Sequence, residues 1–375
     1  MAKTIGIVGG GQLGRMLTLA AKPLGFDVIV VDPTGNSPAA QVGAEEIVAG
    51  FYDEAAIGQM SARAHHMTVE SEHINVDALE KAIKEGRPVH PAPATIRLIQ
   101  DKYLQKAFLH EVGIPVGEFE EIVDVENALA TLKKFGGKMI IKTRHGAFDG
   151  RGNMVVKSAA EVREAFKFFE GKKLYAEKLV PFVKELAVMV ARSTNGEVAT
   201  YPLSETIHKR NICHEVLVPA AVPKNVQQKA VRLARKVASE LAGAGVFGIE
   251  MFLTDKGQVL INEIAPRVHN SGHYTTEACM TSQFEQHIRA IAGLPLGKTD
   301  LLVPASVMIN ILGERNGPVE ITGMDECLAI PGVSVHLYGK GPTKIDRKMG
   351  HITAIGNSLS QARARARKAR RSLSI

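Results

Sequence analysis

Two carboxylates and a carboxamide frame a short hairpin near residue 256. The run Gly248-Ile249-Glu250-Met251-Phe252-Leu253 leads into a polar turn, Thr254-Asp255-Lys256-Gly257, and then into Gln258-Val259-Leu260-Ile261-Asn262-Glu263. Apolar, β-prone flanks about a glycine-bearing turn read as two antiparallel strands. With the turn centred on Lys256, Glu250 falls opposite Asn262 or Glu263, and cross-strand neighbours share a face. Hard oxygen ligands so placed suit Mg2+, which binds one or two carboxylates together with substrate phosphates. The competing reading is a pair of solvated strand-end acids. The next segment, Ile264-Ala265-Pro266-Arg267-Val268-His269-Asn270-Ser271-Gly272-His273, weighs against it, because so polar a run directly after a buried strand reads as a ligand-facing loop.

Other segments carry chemistry of their own. Gly9-x-Gly11-x-x-Gly14 follows a strand, and Asp32 ends the next one, which is the spacing of a dinucleotide fingerprint. Amides at a helix N-terminus cradle anions, so a phosphorylated ligand is expected at that edge; the alternative is a tight turn with no ligand. Glu70 and Glu72 end the fourth strand of the same sheet, where acids could accept from ribose hydroxyls; the alternative is a surface turn. Lys142-Thr143-Arg144-His145-Gly146-Ala147-Phe148-Asp149-Gly150-Arg151-Gly152 runs from a strand into a glycine-rich loop with three cations, suited to closing over phosphates, although it lacks the Gly-Lys-Ser/Thr of a Walker loop. Glu177-Lys178-Leu179-Val180 could offer backbone groups to an adenine edge, with Glu185 available for ribose hydroxyls.

These residues need elements to position them. Thr4–Val8, Phe26–Val31, Glu46–Ala49 and His66–Val69 read as strands alternating with helices and followed by a short strand at residues 88–90, a parallel, doubly wound α/β unit over 1–93. A long helix is expected over Ala94–Glu111. Short strands with sparse helices then suggest antiparallel α+β packing over 94–303, divided into 94–180 and 181–303. Residues 304–375 read as a small closing domain with a terminal helix.

Bulk properties narrow the class. The chain has 375 residues, 45% hydrophobic and 23% charged, ordinary for a globular protein of two or three domains. No apolar run is long enough to span a bilayer, and the N-terminus enters a strand at once, so neither a membrane nor a signal peptide is expected. The three cysteines form no CxxC, which suggests free thiols and a cytoplasmic location. Six basic residues of the last fifteen account for nearly all of the net charge of +7. With aromatics at 5%, this argues against a nucleic-acid surface. Leu359, Ala362, Ala366, Ala369 and Leu373 recur at helical spacing, so a docked terminal helix is expected rather than a free basic arm.

In their order, the lysine strand, the glycine loop, the strand-end Glu-Lys and the Asn-Glu hairpin resemble the ATP-grasp superfamily. Within it, four stretches resemble the 5-(carboxyamino)imidazole ribonucleotide synthetase family: residues 9–16, Phe148-Asp149-Gly150-Arg151-Gly152, residues 262–273, and Arg347-Lys348-Met349-Gly350-His351. The resemblance implies ATP-dependent carboxylation of 5-aminoimidazole ribonucleotide by bicarbonate, with ATP and Mg2+ as cofactors, and a homodimer. It implies ATP contacts at Lys102, Lys142, Gly146, Ala147, Phe148, Asp149, Gly150, Arg151, Gly152, Glu177, Lys178, Leu179, Val180, Glu185, His208, Asn262 and Glu263. Glu250 and Glu263 become metal ligands. The ribonucleotide is expected against Gly10, Gly11, Gln12, Leu13, Glu72, His273, Arg347 and Lys348, with Asp149, Arg267 and Lys348 catalytic. The chain departs from the family pattern at Ala147 and Phe148 (usually Gly-Tyr), at Lys102 (commonly Arg) and at Ser71 (usually aromatic).

Three other readings compete with this one. Another ATP-grasp ligase, such as a formate-dependent glycinamide ribonucleotide transformylase, shares the hairpin but not the His269–His273 loop. An NAD(P)-dependent dehydrogenase using Gly9–Gly14 and Asp32 leaves the hairpin unexplained. A non-catalytic nucleotide-binding regulator would show no turnover.

Overall fold

The computed structural model describes residues 3–146 and 152–375. At its N-terminus four strands pair in parallel in the order Glu45–Val48, Asp27–Asp32, Thr4–Val8, His66–Val69. Side chains alternate between two cores. Ile5, Ile7, Val28 and Val30 pack with Leu13 and Leu17 of the helix Gln12–Ala21, while Val8, Ile29 and Val31 pack with Ile57, Met60 and Leu79 of the helices on the other side. Burial on both faces explains why the two central runs, residues 5–8 and 28–31, carry no polar side chain.

The expected long helix over Ala94–Glu111 is broken. It forms two helices, Pro93–Gln100 and Lys102–Glu111, because Asp101 adopts an extended conformation and caps the second, accepting from the Tyr103 and Leu104 amides at 3.0 and 3.2 Å. An Asp side chain that bonds nearby amides competes with helix continuation. Arg144 holds Asp101 in place with its guanidinium. The break makes Lys102 the first residue of the new helix and turns it toward the central cleft.

A small antiparallel sheet follows, in the order Phe119–Ile122, Leu174–Lys178, Met139–Thr143, Asn153–Val156. The helices Val125–Lys134 and Ala159–Phe168 cover one face, burying Met139, Ile141, Leu174 and Ala176. Period-two alternation puts Ile140, Lys142 and Tyr175 on the other face, which lines the cleft.

A nine-stranded antiparallel sheet forms the centre. Its path runs Val259–Ala265, Gly245–Thr254, Phe182–Arg192, Ser204–Lys209, Ile212–Val218, Ala305–Leu312, Lys348–Gly356, Val333–Leu337, with Val198–Thr200 beside Phe182–Arg192. The sheet thus passes without interruption across residue 304, joining the hairpin to the C-terminal strands. Phe119–Ile122, Ser204–Lys209 and Ile212–Val218 are strands that the sequence reading did not include.

The terminal helix Leu359–Ser372 docks on this sheet through Ala362, Ala366 and Ala369, all fully buried. Arg363 and Arg367 meet the buried Glu215 at 2.7 and 2.9 Å. The basic tail is therefore a docked helix whose arginines serve the fold. All three cysteines are buried, and none is in a disulfide. No helix among the described residues is long and apolar enough to cross a membrane.

Candidate functional site

A cleft of about 1080 Å³ lies where the three sheets meet. The hairpin supplies its metal-type face. Glu250 pairs with Glu263, whereas Met251 pairs with Ile261, so a bulge gives Asn262 no partner of its own. A bulge sets two residues of one strand against one of the other. Glu250, Asn262 and Glu263 consequently all line the cleft. Burial, then the charge of Glu263, pushes the Glu250 carboxyl up to about 7. Two facing carboxylates with that electrostatic strain fit a divalent cation. Lys102 forms an ion pair with Glu263, and His269 Nε2 lies 3.6 Å from Glu250 Oε1.

The neighbouring wall is cationic and tightly paired. Lys142 and Lys106 both meet Glu177, at 3.0 and 3.3 Å, and the Tyr175 hydroxyl donates to it at 2.9 Å. Burial alone would raise the Glu177 carboxyl, but the two lysines outweigh it and hold it at about 2. Glu177 is therefore a buried counterion behind the wall. Lys178 points away to Glu118, and Leu179 and Val180 lead into the strand Phe182–Arg192; none of these four lines the cleft. Sequence reasoning missed Lys106, although its spacing of four from Lys102 on one helix face was a usable signal. Across the cleft, Glu185 Oε2 lies 2.8 Å from His208 Nδ1, a pairing that raises the imidazole pKa against the effect of burial.

The opposite end draws on three distant segments. Gln12 and Leu13 come from the glycine turn, Arg267 and His269 from the loop after the hairpin, and Arg347 and Lys348 from the C-terminal region. Arg267 Nε donates to Glu72 Oε2 at 2.8 Å. Burial would raise the Glu72 carboxyl, but Arg267 and Lys102 bring it down to about 2. Lys340, unremarked in the sequence, lines this end too and donates to Gln12 Oε1 at 2.6 Å and to the Lys348 carbonyl at 2.9 Å.

Two expectations need correction. The amides of the glycine turn do not await a phosphate: Gly11 and Gly14 donate to the Glu70 carboxylate at 2.7 and 2.6 Å, and Gly10 donates to Asp32 at 2.9 Å. Asp32, 6% exposed, is thereby committed to its own turn, as is Gly10, and neither lines the cleft. His273 is fully buried behind the loop, 3.1 Å from Gln283 and with its ring 4.8 Å from that of His351, so it packs the loop after the hairpin against the C-terminal strands and does not line the cleft. Gly146 lines a separate depression with Tyr52 and Lys172, and Gly152 accepts from the Thr143 amide at 2.9 Å. Ala147, Phe148, Asp149, Gly150 and Arg151 lie outside the described residues.

Comparison with known proteins agrees with this layout. Residues 1–100 match the ribonucleotide synthetase preATP-grasp domain, 107–284 the ATP-grasp domain, and 306–365 the phosphoribosylaminoimidazole carboxylase C-terminal domain. The chain is 42% identical to the N5-carboxyaminoimidazole ribonucleotide synthase of Bacillus subtilis, over 93% of this chain and 90% of that protein. It is 47% identical to the phosphoribosylaminoimidazole carboxylase of Ogataea methanolica over 97% of its own length, but spans only 68% of that longer protein. The crystal structure of the Thermotoga maritima N5-carboxyaminoimidazole ribonucleotide synthetase superposes with a TM-score of 0.90 at 46% identity, covering 99% of both chains. An Aspergillus clavatus synthase crystallised with ADP and 5-aminoimidazole ribonucleotide gives a TM-score of 0.91 at 37% identity, covering 98% of this chain and 97% of that one. Whole-length identity at this level, with the same three-part architecture, makes the chain a member of the N5-carboxyaminoimidazole ribonucleotide synthetase family of ATP-grasp ligases.

Proposed function

We propose that the chain uses ATP to carboxylate 5-aminoimidazole ribonucleotide with bicarbonate, giving 5-(carboxyamino)imidazole ribonucleotide, ADP and phosphate for purine biosynthesis. One observation carries the reading: a single cleft joins a carboxylate hairpin and paired lysines at one end to the Glu72–Arg267 pair and C-terminal cations at the other. The first end suits a nucleotide triphosphate, and the second an anionic ribonucleotide.

In the first half-reaction a bicarbonate oxygen attacks the γ-phosphorus and ADP leaves, giving carboxyphosphate. Positioning and charge neutralisation are the protein's share of phosphoryl transfer. Lys102 and Lys142 would neutralise phosphate oxygens, and Glu185 and His208 would face the ribose side. Glu250, Asn262 and Glu263 would hold Mg2+, which supplies charge stabilisation on the transferring phosphoryl group. In the second half-reaction the exocyclic amine forms a bond to the carboxyl carbon of carboxyphosphate, or of CO2 released from it. Phosphate departs and the amine loses a proton. Arg267 and Lys348, with Asp149, would orient the amine and the carboxylate. Shielding from water protects carboxyphosphate from hydrolysis. A homodimer in the cytoplasm completes the proposal, the assembly being open to sedimentation analysis.

The test is ADP release measured with and without 5-aminoimidazole ribonucleotide and bicarbonate. Strong stimulation by the pair supports the reading. Stimulation by formate with glycinamide ribonucleotide would transfer it to the transformylase class.

A further inference from the structure

The glycine turn is built as an anion hole, and its anion comes from the chain itself. Glu70 stands 59 residues beyond Gly11, yet its two carboxylate oxygens separately accept the Gly11 and Gly14 amides at 2.7 and 2.6 Å. The glycines are shaped to admit it. A Cβ at Gly9, where φ is +113°, would sit 2.1 Å from Glu70 Cγ, and a Cβ at Gly11 would sit 2.6 Å from Glu70 Oε1. A carboxylate at the start of the helix Gln12–Ala21 also meets the positive end of its dipole. Gln12 and Leu13, the residues between the two donor amides, face the cleft, and Lys340 grips Gln12 from the other side at 2.6 Å.

We propose that Glu70 is a positioning residue: a tethered anion that fills the hole of the glycine turn and so fixes Gln12 and Leu13 against the ribonucleotide. The same carboxylate keeps the phosphates of dinucleotides out of a turn whose spacing would otherwise accept them. The inference rests on the ribonucleotide assignment above. It adds a reason for the glycine pattern that does not involve nucleotide phosphate. Glu70 is itself half-buried at the cleft wall, so an anion replacing it can enter from solvent.

Glu70→Ala should raise the KM for 5-aminoimidazole ribonucleotide about tenfold, the cost of mis-setting one charge-assisted contact, and leave the KM for ATP within about twofold. Acetate, at fixed saturating bicarbonate, should restore much of the loss by filling the vacated hole. It should also raise the melting temperature of Glu70→Ala but not of the wild type, a readout independent of turnover. Glu70→Gln, which keeps the shape but sets an amide N–H against a backbone N–H, should show a similar split between substrates and no acetate rescue. Equal loss for both substrates, no loss for either, or a folded Glu70→Ala that acetate neither stabilises nor rescues would overturn the proposal. If Glu70→Ala fails to fold, the substrate split in Glu70→Gln decides. A wild type unresponsive to the ribonucleotide would instead overturn the functional reading, independently of any Glu70 variant.

Discussion

Glu250 and Glu263 face each other directly across the hairpin because a bulge after Glu250 passes over Asn262. Had the register of Met251 and Ile261 continued without the bulge, Glu250 would oppose Asn262 and the second carboxylate would lie one residue further along. Glu263→Gln removes one of the carboxylate charges proposed to hold Mg2+ and keeps the shape. Turnover should fall by a factor on the order of 10² to 10³, the several kcal/mol attributed to metal-assisted charge stabilisation. Circular dichroism should remain that of the wild type. A variant with near-normal ADP release would refute the metal assignment.

Arg347 donates to the Gly341 and Pro342 carbonyls at 2.9 and 2.6 Å, so it shapes its own loop while lining the cleft beside Lys348. Charge-assisted hydrogen bonds to phosphate contribute roughly 1.5–3 kcal/mol each. Arg347→Ala should therefore raise the KM for 5-aminoimidazole ribonucleotide about tenfold or more and spare that for ATP. Lys348→Ala should do the same and also lower kcat. Steady-state kinetics with each substrate varied in turn separates these outcomes, and equal loss for both substrates would contradict the assignment.

The terminal helix neutralises Glu215, which is 2% exposed, through Arg363 and Arg367. Deleting residues 361–375 strands that carboxylate and uncovers the sheet beneath. Breaking a buried pair costs about 3–5 kcal/mol. The melting temperature should drop by roughly 5 °C or more, with a smaller change in substrate affinity. Calorimetry of the truncated chain checks this, and an unchanged melting temperature would argue against the docked helix.

His287 ties the N-terminal sheet to the central one. Its Nδ1 accepts from the Val246 amide at 3.0 Å, and its Nε2 lies 2.7 Å from the Thr68 hydroxyl. That arrangement requires a neutral ring, and burial, then His90, brings its pKa down to about 3. In the unfolded chain the pKa returns to about 6.5. Between those values the unfolded state binds the additional proton, so the contribution of His287 to stability is complete above about pH 6.5 and is lost as pH falls toward 3. Urea midpoints measured from pH 7 to 4 should decline, and His287→Gln should decline less steeply over the same window.

Local pattern was enough to reveal much of this protein. Apolar, β-prone runs and glycine-bearing turns marked the hairpin, the parallel strands and the C-terminal strands, because each depends on neighbours a few residues away. The alanine stripe of Leu359–Ser372 announced a docked helix for the same reason. The polar run after Glu263 identified the loop that supplies Arg267 and His269 to the cleft. Specific motifs, read as a family resemblance, supplied the expected ligands.

Tertiary structure decided what depends on distant partners. The spacing of Gly9, Gly11 and Gly14 is equally compatible with a phosphate and with a carboxylate, and only folding shows that Glu70 is the occupant. His273 sits in a loop dense with cleft residues, yet contacts with Gln283 and His351 turn it into the interior. Asp101 interrupts an otherwise helical pattern because Arg144, 43 residues later, stabilises the break. The bulge that leaves Asn262 unmatched sets which carboxylates meet. Side-chain pairing across long sequence separations leaves no periodic trace, since the chain records neighbours along itself and the fold alone brings remote charges within hydrogen-bonding distance.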